Sequence, residues 1–217
     1  MSKPQAGAWA LILGALSYIA LMAAHPSHVG EPIIGAITLS GIVHGAAFMT
    51  QPVLLYGFWV LTRQMEERPL AAIAFSFYAL SASLSLMAGS MSGLVIPAIL
   101  DAGHVSGGHG APIDPEMLRQ TLQAQANYTV ILNRAFATAH FVMFAVAMVL
   151  WALAWPGRTL LVIAARVIGA VIGLGVIAWA LSGTMTLEAG HGALLVTFVQ
   201  MLWTFFAAAA LLRIKTT

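Results

Sequence analysis

The stretch ALLVTFVQMLWTFFAAAALL, residues 193–212, decides the fold. It runs without a charge for a length that spans about 30 Å at helical rise, the thickness of a bilayer's hydrocarbon core. A barrel strand of about ten residues would alternate lipid-facing with lumen-facing side chains, and ALLVTFVQMLW shows no such period of two. The reading is a membrane helix.

Working outward, five more stretches qualify: Ala8–Ala24, Ile42–Leu61, Leu70–Ile99, Tyr128–Trp155 and Leu160–Leu181. Together with Ala193–Leu212 they predict an all-α fold, a polytopic membrane helical bundle of six transmembrane helices forming a single domain over 1–217. Composition agrees: hydrophobic residues make up 60% of the chain and charged residues 7%. A soluble domain carries roughly 25% charged residues, so a water-facing surface cannot be built from this chain. The lipid bilayer is therefore the first expected partner. Nucleic acid is not expected, because the net charge is only +2 and the basic residues sit singly at the ends of apolar segments. Cysteine is absent, which excludes disulfides, thiolate metal ligands and cysteine nucleophiles. The run Ala8–Ala24 after Lys3 is longer than a signal-peptide core of about 7–15 residues and lacks a small-x-small cleavage site before His25, so a retained first helix is expected.

The connections alternate in charge. Lys3, Arg63, Arg68, Arg158, Arg166, Arg213 and Lys215 fall on one side, against Arg119 and Arg134 on the other. The positive-inside rule then puts both termini in the cytoplasm. A short, Ala-rich, cysteine-free chain reads as a bacterial inner-membrane protein. Outside, DAGHVSGGHGAPID (101–114) reads as a glycine-rich loop, closed where Asp114 caps a new helix and Pro115 opens it. No breaker follows before Pro156. The fourth helix is thus expected to run about 40 residues, or about 60 Å, with its start projecting beyond the membrane; loop and extension together cover 101–126.

The chain can be cut into three helical hairpins whose second helices each begin with histidine: HGAAFM at His44, HFVMFA at His140 and HGALLV at His191. Each then reaches a Trp and an Arg, namely Trp59 and Arg63, Trp155 and Arg158, Trp203 and Arg213. Measured from those arginines, the histidines stand about 28, 27 and 33 Å along their helices. They share one layer just inside the outer interface, with Glu188 one turn before His191. Imidazole with one carboxylate is the donor set that zinc, copper or iron prefers, so His44, His140, His191 and Glu188 are the candidate ligands of a metal ion or of a haem. The structural alternative is that each histidine bonds exposed backbone or water near the headgroups and needs no ligand.

Four other polar residues stand in or beside the apolar runs. Gln51 and Gln200 need hydrogen-bond partners inside the bundle, and Arg134, beside Asn133, either snorkels to the headgroups or faces inward toward an acid or an anionic ligand. They define a rival reading, a small transporter or channel with a polar path. A third reading is a structural or assembly subunit of a membrane complex, contacting its partner or a second copy through the 101–126 segment. Gly169 and Gly173 form a GxxxG step suited to close helix approach.

Overall fold

The computed structural model describes residues 1–24, 33–34, 37–105, 114–187 and 192–214. Its helices are α1 (Lys3–Ala23), α2 (Leu39–Arg63), α3 (Pro69–Ser90), α4 (Ile96–Val105), α5 (Pro115–Ala154), α6 (Leu160–Leu181) and α7 (Gly192–Leu212). Between α3 and α4 the chain stays helical through one π turn, Met91–Val95. The only extended pairing among the described residues is Ile33 with Thr38 and Ile34 with Ile37. The molecule is an all-α bundle, as the apolar runs predict.

Five helices are long and apolar enough to cross a membrane: α1, the continuous α3–π segment to Ile99, α5, α6 and α7. The sixth bundle helix, α2, has 25 residues. His44, Thr50, Gln51 and Pro52 dilute its apolarity, and three of these, His44, Thr50 and Gln51, are buried. A helix hides polar side chains in this way when lipid is on the outside. Large apolar residues such as Leu160, Val171 and Leu181 stand exposed on the bundle surface, the inverse of a water-soluble pattern.

Neighbours in sequence are neighbours in space. α1 packs on α2, α2 on α3, α3 on α5, α5 on α6, α6 on α7, and α7 returns to α1, closing the ring. Small residues set the close approaches. A Cβ on Gly7 would meet Val60 at 2.5 Å and one on Gly14 would meet Leu54 at 2.6 Å, so α1 and α2 touch almost backbone to backbone. The Gly169 and Gly173 step works as expected: Gly169 lies against the Trp203 indole and Gly173 against Val149 and the Ala145 carbonyl.

One end of the bundle interior is filled by rings. Phe58, Trp151 and Trp203 lie nearly parallel, with centroids 4.9 Å (Phe58–Trp151), 5.9 Å (Phe58–Trp203) and 5.7 Å (Trp151–Trp203) apart. Tyr78 and Phe144 close on them edge-on or tilted. Each stacked ring comes from the second helix of one hairpin, α2, α5 or α7, so the three-hairpin division has a physical counterpart at the bundle centre. Trp203 is pinned by its Nε1–H, which donates to the Ala165 carbonyl at 3.0 Å, and Trp151 by a bond to Thr62 Oγ1 at 3.1 Å.

At the far end the third span reaches Ile99 as expected, and helix continues beyond it to Val105, so the glycine-rich loop begins later than Asp101. The π turn at Met91–Val95 was not foreseen. Pro97 explains its position: proline lacks an N–H and its ring crowds the carbonyl four residues back, at Gly93, and widening the preceding turn relieves that crowding. The long fourth-span helix, by contrast, starts as predicted. Asp114 accepts from the Glu116 N–H at 2.9 Å, Pro115 occupies the first turn, and α5 runs 40 residues without interruption.

Candidate functional site

α5 carries an inward stripe at helical spacing: Asn133, Ala137, His140, Phe141, Phe144, Met148 and Trp151. Its lower part enters the ring cluster. Its upper part, with α1, α2, α3 and the π turn, borders a half-open cavity of about 150 Å³. The polar lining includes His44, Gln51, Asn133, Arg134 and His140, all singled out from sequence. Helices distant in the chain thus bring five of the eight predicted residues to one space.

The other three divide differently. Gln200 does not line the cavity; its Nε2 donates to the Phe141 carbonyl at 2.9 Å, tying α7 to α5. Glu188 and His191 lie outside the described residues. Leu187 and Ala193, on either side of them in sequence, both line the cavity.

His140 is the best-held group. It is 6% exposed, and its Nδ1 lies 3.0 Å from the Ser81 carbonyl oxygen, an atom that only accepts. Ser81 Oγ also stands 2.8 Å from Nδ1 and donates to the His140 carbonyl at 2.9 Å, so the arrangement that satisfies all three contacts puts the proton on Nδ1 and leaves Nε2 as an acceptor. Tyr18 Oη stands 3.4 Å from Nε2 and 3.1 Å from Ser85 Oγ, and Gln51 Nε2 donates to the same Ser85 Oγ at 3.3 Å. One consistent direction runs through the set: Gln51 donates to Ser85, Ser85 to Tyr18, Tyr18 to His140, and His140 to the backbone of α3. The run ends on an orphan, since Gln51 Oε1 is buried without a partner.

His44 sits against the π turn. A Cβ on Gly93 would come within 2.6 Å of His44 Cβ and Cγ, so only glycine lets the imidazole lie there, and Gly89 likewise makes room for Phe48. Ser92, in the π turn itself, also lines the cavity.

Tyr18, Ser81 and Ser85 were missed from sequence, because single hydroxyls are common in membrane helices. A signal existed. Ser81, Ser85 and Ser92 recur at spacings of four and seven on α3 and the π turn, which puts them on one face.

Among the described residues no three His, Asp or Glu side chains converge as a metal cluster. A cavity of about 150 Å³ accepts a molecule the size of benzene. A bare metal ion fits the donor chemistry: a ligating histidine characteristically donates its other ring N–H to a carbonyl, as His140 does to Ser81. No family model matches this chain, and no curated protein or solved structure is significantly similar to it.

Proposed function

We propose that the chain is an integral protein of a bacterial cytoplasmic membrane, with six spans and both termini in the cytoplasm, that holds a metal ion in the cavity toward the non-cytoplasmic face. His44 and His140 are two of its ligands, and His191 and Glu188 complete the set. The supporting observation is that two imidazoles from different helices line one half-open cavity, and that His140 sets its Nδ1 against the Ser81 carbonyl; a metal on Nε2 displaces the Tyr18 contact there.

The test is metal analysis of protein purified in mild detergent without chelators. One equivalent of metal in the wild type, lost in His140→Ala, is the expected result; metal-free wild type refutes the reading. Orientation is tested separately. With no native cysteine, a single Gln123→Cys on the α5 extension should react with a membrane-impermeant maleimide from outside, and Glu67→Cys should not.

A transporter is the second reading, favoured by Gln51, Asn133 and Arg134 sharing the cavity with the histidines. Against it, Gln200 is occupied elsewhere and the Phe58, Trp151 and Trp203 rings fill the bundle below. Proteoliposome flux separates the two.

A further inference from the structure

The described lining of the cavity carries one cation and no carboxylate. Arg134, an exposed residue, is among its lining, no described Asp or Glu is, and among the described residues no carboxylate lies within ion-pair distance of the guanidinium. Asn133, on the inward stripe of α5, adds amide donors beside it. Arg134 stands six positions before His140 (140 − 134), about 9 Å further out along the helix. At the His140 level, reached through Ser85 and Tyr18, Gln51 is 2% exposed and its Oε1 has no donor. Much of the remaining wall is apolar, formed by Val43, Ala47, Phe48 and Ala137 among others, with the His44 imidazole set among them. The space therefore has a cationic, donor-rich outer end, a largely apolar wall around a volume of about benzene size, and a buried acceptor at its inner end.

We infer that this cavity binds a small carboxylate with an apolar, ring-sized body and a hydroxyl or N–H at the opposite end. Arg134 and Asn133 take the carboxylate, and Gln51 Oε1 accepts from the far hydroxyl. The fit follows from ordinary recognition chemistry: a guanidinium pairs with carboxylate in fork geometry, and a buried acceptor discriminates strongly for a ligand that supplies its missing donor. The inference stands on Arg134, Asn133 and Gln51 and does not require a metal between the imidazoles.

The experiment is equilibrium binding of 4-hydroxybenzoate, benzoate, benzamide and palmitate to the full chain in neutral detergent, before and after stripping with EDTA. Saturable binding of 4-hydroxybenzoate that survives EDTA and exceeds benzoate about tenfold is expected, with benzamide silent. Arg134→Gln should weaken both aromatic acids at least about tenfold, Arg134→Lys should recover part of that, and Gln51→Leu should erase the preference for the hydroxyl while leaving benzoate unchanged. Palmitate binding in place of the aromatic acids keeps the carboxylate site and assigns the anion to a lipid. Equal binding of benzamide and benzoate, or an indifferent Arg134→Gln that still melts cooperatively, overturns the inference. So does binding that disappears with EDTA and returns with zinc, a result that would support the metal reading alone.

Discussion

Ser81 and His140 meet three times across the α3–α5 contact: Ser81 Oγ donates to the His140 carbonyl at 2.9 Å and stands 2.8 Å from the ring Nδ1, while Nδ1 also meets the Ser81 carbonyl at 3.0 Å. The last contact involves backbone on the serine side, so it survives removal of the hydroxyl. Ser81→Ala should therefore cost only about 0.5–1.5 kcal/mol, the net worth of one hydrogen bond, and leave the tautomer intact. Nitrogen-15 NMR of labelled histidine checks the point: in both proteins the His140 signals should be those of a ring protonated at Nδ1. A ring protonated at Nε2 would contradict the assigned direction of the whole Gln51-to-Ser81 run.

Gly93 is where α2 leans on the π turn. The nearest atoms to a new Cβ are His44 Cβ and Cγ, which are the root of a side chain and not its flexible end. Gly93→Ala should push α2 away, costing about 1–3 kcal/mol as overpacking does and displacing His44 from the cavity. Gly45→Ala on the neighbouring position of α2 meets nothing within 4 Å and serves as the control. Thermal melts in one detergent compare them; equal midpoints for the two variants would show that the Gly93 contact is not tight.

In the ring cluster, Trp203 combines stacking with a hydrogen bond. Trp203→Phe keeps an aromatic body but abandons the Ala165 carbonyl, at a cost of about 1 kcal/mol. Trp203→Ala also opens a void among Phe58, Trp151 and Phe144, at about 3–5 kcal/mol. Unfolding titrations in mixed micelles should rank wild type above Trp203→Phe above Trp203→Ala. A Phe variant as unstable as the Ala variant would move the weight from ring packing to the N–H.

Much of this was legible in the sequence. Length and apolarity place the helices because lipid offers the backbone no other partner. Asp114 and Pro115 mark the start of α5 because a cap and a first-turn proline act locally. Counting from the cytoplasmic arginines put His44 and His140 at one depth; both line the cavity, but His44 packs on Gly89 and Gly93 whereas His140 bonds Ser81, about two to three turns away on the same neighbouring helix. What escaped depends on contacts between distant segments. The π turn reflects Pro97 and the packing of Gly93 on His44 together, and the choice of Gln200 for the Phe141 carbonyl rests on how α7 sits against α5. Hydropathy is blind to both.

The two buried glutamines provide the sharpest contrast, because each has an orphaned Oε1 yet each plays a different part. Gln51 gives only a 3.3 Å bond to Ser85, whose hydroxyl has Tyr18 as another partner. Gln51→Leu thus removes an unsatisfied oxygen at little loss, and the variant should melt at or above the wild-type temperature. Gln200 donates at 2.9 Å to a carbonyl in the middle of α5, beside the His140 peptide. Gln200→Leu removes the same kind of orphan but also severs the α7–α5 tie, so it should be destabilised by about 1 kcal/mol. Opposite signs are expected because a site meant for a ligand is kept at the expense of stability, whereas a strut is kept for it. If Gln51→Leu proves the less stable of the two, Gln51 is the strut, and the vacant acceptor at the cavity's inner end loses its meaning.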